Sequence, residues 1–162
     1  SKFNSFNLNN QSKYDHNLIL KSNKNSKTVD LFESKIPDEL TTQYWFDRND
    51  VANHPNSSHY FVPRAALPKF KTVEEGDASK KSFKRLHRSR YSPTAAYGNN
   101  EVHIHPTEPR RISAAEALSI QSAPKHFELP ANMTLTNMFK SIGNAVPYLM
   151  AKAIASETKK LI

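Results

Sequence analysis

The sequence contains no cysteine and only three glycines among its 162 residues. The absence of cysteine excludes a disulfide framework, a thiolate zinc site and a thiol nucleophile contributed by this chain. No apolar run approaches the roughly 18 residues of a membrane-spanning helix, and the first residues lack the apolar core of a signal peptide, so we expect a cytoplasmic protein with no membrane partner. With 37% hydrophobic residues, the chain can bury only a modest core, which predicts that part of it is loop or is covered by a partner.

Positive charge is abundant. The net charge of +8 and the isoelectric point near 9.7 favour a polyanionic partner such as nucleic acid. Residues 80–90 concentrate six cations and no acid, and their mixture of lysine and arginine suits contacts with backbone phosphates. A solvated charged loop explains the same composition equally well.

Residues 91–100 follow the basic segment and carry Pro93, Gly98 and two asparagines, a composition typical of tight turns. A loop of this kind can bring backbone amides and small side chains to the edges of bases. Ordinary turn chemistry is the alternative. Further upstream, the sequence predicts a loop over residues 47–68 with a short strand near 59–62. It predicts one or two amphipathic turns or helices over residues 28–46, and one strand at residues 18–20.

Two helices are predicted near the carboxyl end. Ser113 followed by Glu116 is a capping box, which places the start of a helix at Ala114. The second helix is predicted from Asn144 onward, with Gly143 forming a turn that leaves amides at the helix start available to an anion. A simple helix cap is the alternative for this turn. The pair His103 and His105 lacks a third ligand nearby, so we expect no metal site.

Two segments then carry a family resemblance. RRISAAEALSIQSAPKHFEL, residues 110–129, resembles motif IX of the DNA (cytosine-5) methyltransferases, and IGNAVP, residues 142–147, resembles motif X. The order and spacing of the two segments are those of the family. Residues 85–98 followed by residues 104–111 are similar, more loosely, to the end of the family's target-recognition domain running into motif IX.

The family's other motifs are absent from this sequence. It lacks the Pro-Cys that holds the nucleophile, the Glu-Asn-Val and Gln-x-Arg-x-Arg motifs, and the glycine-rich motif for S-adenosylmethionine. The resemblance therefore implies the carboxy-terminal part of a bacterial or phage-encoded enzyme, inactive without a catalytic half that carries the cysteine. It implies an α+β fold: a polar lead-in over 1–46, a small loop-rich recognition region with short strands over 47–109, and over 110–162 two helices that belong to an incomplete catalytic lobe.

The resemblance also implies roles for individual residues. Double-stranded DNA is expected to contact Lys80, Lys81, Lys84, Arg85, Arg88, Arg90, Tyr91, Thr94 and Tyr97. S-adenosylmethionine is expected to contact Asn144, Ala145 and Val146 once the missing half is present. Motif residues with structural roles are Arg110, Ser113, Glu116, Gln121 and Gly143, with Arg110 holding the recognition region to the catalytic lobe. No residue of this chain is expected to be catalytic, and a nonenzymatic sequence-specific DNA-binding or regulatory module remains the alternative.

Overall fold

Helices dominate the structure, with one very small sheet. The computed structural model describes residues 36–63, 67–80, 82–95, 97 and 102–161, so the strand predicted at residues 18–20 lies outside it. A 3-10 turn at Asp38–Leu40 precedes five α-helices and two β-strands: α1 Thr42–Asn49, α2 Leu67–Thr72, β1 Lys84–Arg85, β2 His103–Ile104, α3 Ala114–Ile120, α4 Leu135–Asn144 and α5 Tyr148–Lys159. No helix in these described ranges is long and apolar enough to cross a membrane.

The sheet pairs β1 with β2 in parallel, with Lys84 opposite His103 and Arg85 opposite Ile104. Ile104 also forms an antiparallel bridge with Arg111, which leads the chain directly into α3. The strand expected near residues 59–62 does not form. The carbonyl of His59 instead accepts a hydrogen bond from the Ala114 amide at 2.9 Å, so this backbone serves the start of α3 rather than a sheet.

Helix α1 is built onto the backbone of the basic segment. Thr41 caps it by accepting from the Tyr44 amide at 3.3 Å. The next two amides, of Thr42 and Gln43, donate to the carbonyls of Arg90 and Arg88 at 2.9 and 3.0 Å. The path of the basic segment is therefore fixed by main-chain bonds to a helix terminus.

Helix α3 lies at the centre of the core. Its capping box is confirmed: the Ser113 hydroxyl accepts from the Glu116 amide at 3.2 Å, and the Glu116 carboxylate accepts from the Ser113 amide at 2.7 Å. All of its residues from Ala114 to Ser119 are buried, because small side chains let α1 and α4 pack closely against it. The core around it contains Phe46, Val51, Leu86, Tyr97, Ile112, Leu118, Met138, Phe139 and Ile142.

One expected boundary cuts through this core. The division between residues 46 and 47 falls inside α1, and Phe46 packs in the same cluster as α3 and α4. By their contacts, residues 36–162 form a single compact unit. The described part of residues 47–109 therefore shares its core with the helices that precede and follow it.

The region of motif X differs from the prediction. The expectation of a glycine turn starting one helix at Asn144 is wrong, because α4 begins at Leu135 and continues through Gly143 to Asn144. Thr134 caps α4 by accepting from the Asn137 amide at 3.3 Å, and Met138, Phe139 and Ile142 form its buried face. Residues 110–162 thus hold three helices rather than two, and α5 starts only after Pro147.

The glycine has a packing role instead of a turn role. A Cβ atom at Gly143 would lie 3.2 Å from the Tyr97 backbone nitrogen and 3.4 Å from the Tyr97 Cβ. A side chain at this position would therefore push α4 away from residue 97. Gly143 therefore lets motif X lie close to Tyr97, which follows the basic segment of residues 80–90.

Helix α5 contributes no side chain to the core. Its large apolar residues are about half exposed: Tyr148 45%, Leu149 45%, Met150 51% and Ile154 58%. Leu149, Met150 and Ile154 recur at helical spacing and lie on one side of the helix. An exposed apolar helix face of this kind is a candidate contact surface.

Candidate cofactor and nucleic-acid site

The end of α3 and the start of motif X meet directly. The Gln121 side-chain amide donates to the Ile142 carbonyl at 3.3 Å, and the Gln121 carbonyl accepts from the Tyr148 amide at 3.0 Å. The Ser122 hydroxyl accepts from the Leu149 amide at 3.0 Å. The two segments that carry the resemblance are therefore joined by three hydrogen bonds across 21 to 27 residues of sequence.

A cleft of about 420 Å³ opens at this junction. One side is formed by the start of α1 and by residues 91–95, and the other by the end of α3 and the turn between α4 and α5. The lining residues are Leu40, Thr41, Thr42, Trp45, Tyr91, Ser92, Pro93, Thr94, Ala95, Ile120, Gln121, Gly143, Ala145 and Pro147. None of these side chains is ionic, so the cleft offers a neutral, partly apolar surface with hydroxyl and amide groups.

Of the three residues expected at the cofactor, only Ala145 lines this cleft. Asn144 and Val146 are exposed on either side of it, and Gly143 and Pro147 join Ala145 on the wall. Because Asn144 closes α4 and Ala145 is its C-cap, with its amide bonded to the Ile142 carbonyl at 3.2 Å, no free helix-start amides lie here. The anion site expected at this turn is not formed.

Trp45 is a wall residue that the sequence did not indicate. Its indole N–H donates to the Glu39 carbonyl at 3.0 Å, which fixes the ring. The Arg48 guanidinium lies 5.3 Å from the Trp45 ring centre and donates to the Tyr44 hydroxyl at 2.9 Å. The spacing of three and four residues along a helix was the only available signal for this group.

Arg110 binds two carboxylates. It donates to both oxygens of Glu116 at 2.9 and 2.7 Å, and to both oxygens of Glu108 at 2.7 and 3.2 Å. Its guanidinium also lies 5.2 Å from the Tyr60 ring centre. Burial acts to lower the pKa of Arg110, but the hydrogen bonds that it donates to Glu116 and Glu108 outweigh this effect and hold that pKa above its ordinary value. Arg110 therefore ties the loop before motif IX to the motif IX helix.

His105 lies beside this pair. Its Nδ1 atom accepts from the amides of Thr107 and Glu108 at 3.3 and 3.0 Å, and its ring stacks on Phe46 with centres 5.9 Å apart. Nε2 is 3.7 Å from carboxylate oxygens of Glu108 and Glu116. Burial lowers the pKa of His105 below its ordinary value of 6.5, although Glu116 acts in the opposite direction.

This shift predicts a pH dependence of stability. Because the folded His105 binds a proton less tightly than the unfolded one, the unfolded chain holds more protons below pH 6.5. The free energy of unfolding should therefore fall as the pH decreases from about 6.5 through the folded pKa. Urea denaturation at a series of pH values measures this. His105→Asn removes the titration and should flatten the curve between about pH 6.5 and 5; an unchanged slope would contradict the assignment.

Arg85 corrects the expected DNA interface. It is only 6% exposed, and its guanidinium donates to carbonyls of Val73 at 2.7 Å, His105 at 2.7 Å, Glu108 at 3.0 Å and Pro106 at 3.3 Å, and to that of Phe70. Burial lowers the pKa of Arg85. Its donors are directed inward, so the prediction that it contacts DNA is wrong.

The ring of Tyr97 is also part of the core. It is 9% exposed and packs edge-on against His103 and Phe139, each with ring centres 5.4 Å apart. A DNA contact through this ring is therefore excluded in this conformation.

Among the other expected DNA contacts, Lys81 lies outside the described residues. The other expected DNA contacts are exposed or partly exposed: Lys80, Lys84, Arg88, Arg90, Tyr91 and Thr94.

Arg88 carries an ion pair at this surface. Its Nε and Nη2 atoms donate to Glu75 at 3.0 and 3.3 Å, and its backbone amide donates to the same carboxylate at 2.9 Å. Burial raises the pKa of Glu75, but the bonds from Arg88 more than compensate and lower it overall. A phosphate must compete with Glu75 for this guanidinium.

Side chains of the turn near residue 54 hold residues 127–129, which follow α3, by hydrogen bonds. Asn56 donates to the Leu129 carbonyl at 3.0 Å and accepts from the Leu129 amide at 2.8 Å. The Nε2 atom of His54 lies 3.1 Å from the Phe127 carbonyl. These buried side chains are structural.

Among the described residues, no three histidine, aspartate or glutamate side chains are grouped so as to hold a metal ion.

Comparison with known proteins agrees with the two motifs. The model of the family described as C-5 cytosine-specific DNA methylase matches residues 2–160. The type II methyltransferase M.NmeDI of Neisseria meningitidis serogroup C is 69% identical over 129 residues, which are 80% of this chain and 31% of that protein. The chain thus spans about a third of the length of this relative.

Two further matches have different extents. The type II methyltransferase M.AquIB of Picosynechococcus sp. is 28% identical over 122 residues, which cover 65% of this chain and 85% of that protein. A solved structure of an E. coli prophage-encoded protein, described as a DNA modification methyltransferase, has a TM-score of 0.43 and 28% identity, covering 53% of this chain and 23% of that one.

Proposed function

This chain belongs to the C-5 cytosine-specific DNA methylase family, and from this premise we propose that it forms the target-recognition and cofactor-closing part of a DNA (cytosine-5) methyltransferase. The complete enzyme transfers a methyl group from S-adenosylmethionine to C5 of cytosine in a specific duplex sequence. The observation that carries the proposal is the cleft that brings residues 91–95 against the start of motif X, next to a helix whose apolar face is uncovered.

The catalytic partner follows from what the chain lacks. A family enzyme needs a thiolate nucleophile, and this sequence has no cysteine. The exposed residues Leu149, Met150 and Ile154 offer an apolar face for that partner. The partner is either a separate subunit or the remainder of a longer chain, consistent with the 31% coverage of M.NmeDI.

The role at the cofactor is one of enclosure. S-adenosylmethionine supplies the electrophilic methyl group when it is bound. Ala145, with Asn144 and Val146 beside it, would close over the amino-acid portion of the cofactor and exclude water. Because the cleft lining carries no ionic side chain, the ammonium and carboxylate of the cofactor must find their charged partners on the catalytic half.

The DNA-contacting set is narrower than the sequence alone suggests. Lys80, Lys84, Arg88 and Arg90 would contact phosphates, with Lys81 in the same segment. Tyr91 and Thr94 line the cleft where this surface meets motif X, so they would lie close to the nucleotide that is flipped out of the duplex. Arg85 and Tyr97 instead hold the scaffold.

Reconstitution tests the proposal. The chain is mixed with a family protein segment that carries the Pro-Cys and glycine-rich motifs, and methyl transfer to duplex DNA is measured with labelled S-adenosylmethionine. We expect transfer by the mixture and by neither component alone. Sequence-specific duplex binding by the chain, together with no transfer in any pairing or in a full-length parent, would instead establish a nonenzymatic DNA-binding module.

The phosphate surface makes a separate prediction. Lys80→Ala and Arg90→Ala together should weaken duplex binding and reduce the slope of log affinity against log salt by about one unit per lost contact. Lys159→Ala, at the end of α5 and exposed like Lys80, removes one charge away from this surface and is the control. Fluorescence anisotropy at several salt concentrations measures both. Equal effects of the two sets of changes would remove residues 80–90 from the interface.

A further inference from the structure

Helix α5 receives its N-terminal cap from another part of the chain. Its N-cap residue is Pro147, which has no side chain able to accept a hydrogen bond. The Tyr148 amide donates to the Gln121 carbonyl and the Leu149 amide to the Ser122 hydroxyl, each at 3.0 Å. Two of the amides that every helix leaves unsatisfied at its start are therefore bound by the residues that end α3.

Ser122 has an unusual backbone conformation for this task. Its φ of 54° lies in the left-handed region, which disfavours residues with a Cβ and is commonly filled by glycine after a helix. The position is fixed by neighbouring bonds: the Ser122 amide donates to Ser119 at 2.8 Å, and the Ala123 amide donates to Leu118 at 3.0 Å. A serine here bears the backbone strain and supplies a hydroxyl that glycine lacks.

Little else determines where α5 points. None of its side chains is buried, so in the part of the chain that the structure describes its direction depends mainly on its first turn. Gln121, Ala145 and Pro147 all line the cleft. The hydrogen bonds to Gln121 and Ser122 therefore fix the position of residues 145–147, which form part of the cleft wall.

We propose that Ser122 is a positioning residue whose hydroxyl caps α5 and thereby sets the closure of motif X over the cofactor. The capping part stands on the geometry alone. The cofactor part rests on the proposed function, because it requires S-adenosylmethionine in the cleft. Ser122 does not itself contact the cofactor or DNA; it acts by positioning the start of α5.

Three substitutions separate the hydroxyl from the backbone strain. Ser122→Ala removes the cap and keeps the strain, Ser122→Gly removes both, and Ser122→Asn tolerates the left-handed conformation while offering an oxygen to the Leu149 amide. If strain relief dominated, the glycine variant would strengthen the start of α5. If the hydroxyl dominates, Ala and Gly weaken it and Asn restores it.

Amide hydrogen exchange of the full chain, followed by NMR, measures the cap directly. We expect amides in the first two turns of α5 to exchange about fivefold faster in the Ala and Gly variants, the effect of losing a typical N-cap, and close to the wild-type rate in the Asn variant. Wild-type exchange rates in both the Ala and Gly variants would overturn the cap. Exchange elsewhere in α3 and α4 reports whether the fold itself has changed.

The cofactor part is tested in the assembled, methylating protein. We expect the KM for S-adenosylmethionine and the Kd of S-adenosylhomocysteine to rise about fivefold in the Ala and Gly variants, with kcat within about twofold and with rescue by Asn. Faster exchange without a change in KM or Kd would overturn the positioning role and keep the cap. Absence of transfer by the wild-type assembly would refute the proposed function and the cofactor role together, while the exchange result stands.

Discussion

Ile154→Glu is expected to reduce methyl transfer by the reconstituted enzyme at least about 100-fold while leaving the isolated chain folded. The side chain of Ile154 is 58% exposed in this chain, so a charge there meets water and should change the free energy of unfolding by less than about 0.5 kcal/mol. Once a partner covers the helix face, the same carboxylate is buried without a counter-ion, which costs several kcal/mol. A factor of 100 corresponds to about 2.7 kcal/mol.

Lys152→Glu is the matched control on the same helix. Residue 152 lies about 160° around the helix axis from both Met150 and Ile154, and about 60° from Leu149 at the edge of the apolar face. This control changes the net charge of the chain more than Ile154→Glu does. Both variants introduce glutamate, so the helix propensity of the new residue is the same. We expect transfer within about threefold of wild type for this control. Pull-down of the catalytic half and thermal unfolding of each variant complete the comparison. Equal transfer by both variants would show that this face does not bind the partner.

Arg85→Lys is expected to destabilise the chain by about 3 kcal/mol, although it preserves the charge. The guanidinium satisfies five carbonyl groups on two different segments, residues 70–73 and residues 105–108, and a lysine ammonium can reach only some of them from one point. Each buried carbonyl left without a donor costs about 1 to 3 kcal/mol. The loss should appear in urea denaturation as a lower midpoint with an unchanged slope.

Arg88→Lys, three residues away, gives the contrast. Arg88 is exposed and pairs with Glu75, and exposed ion pairs contribute less than about 1 kcal/mol. Its replacement should therefore change stability little. If Arg85→Lys proves as mild as Arg88→Lys while weakening DNA binding more, the guanidinium of Arg85 is available to phosphate and its structural assignment is wrong.

Local signals predicted local structure well. The capping box at Ser113 and Glu116 depends on residues three apart and on nothing distant, so the start of α3 was readable from the sequence. The adjacency of motifs IX and X involves residues more than 20 positions apart, so periodicity could not predict it. The structure expresses that adjacency through Gln121, whose amide and carbonyl serve opposite sides of the same turn.

Arg85 and Gly143 were misread because their roles depend on distant backbone. A count of charges treats Arg85 like its neighbours, yet its burial arises from pairing of β1 with β2 and from carbonyls 20 or more residues later. Gly143 resembled a turn glycine, but its requirement is the closeness of residue 97. The signal for α4 was present in Thr134 and in the spacing of Met138, Phe139 and Ile142, and the glycine obscured it.

Thr42 and Gln43 hold the basic segment, residues 80–90, through the main-chain carbonyls of residues 90 and 88, and these two bonds do not depend on the side chains at those positions. Replacing the side chains at positions 88, 90 and 91 would change the chemistry of this surface without removing these main-chain bonds. The backbone is thus held at these positions by bonds that any residue type can make, while the exposed side chains are left to vary.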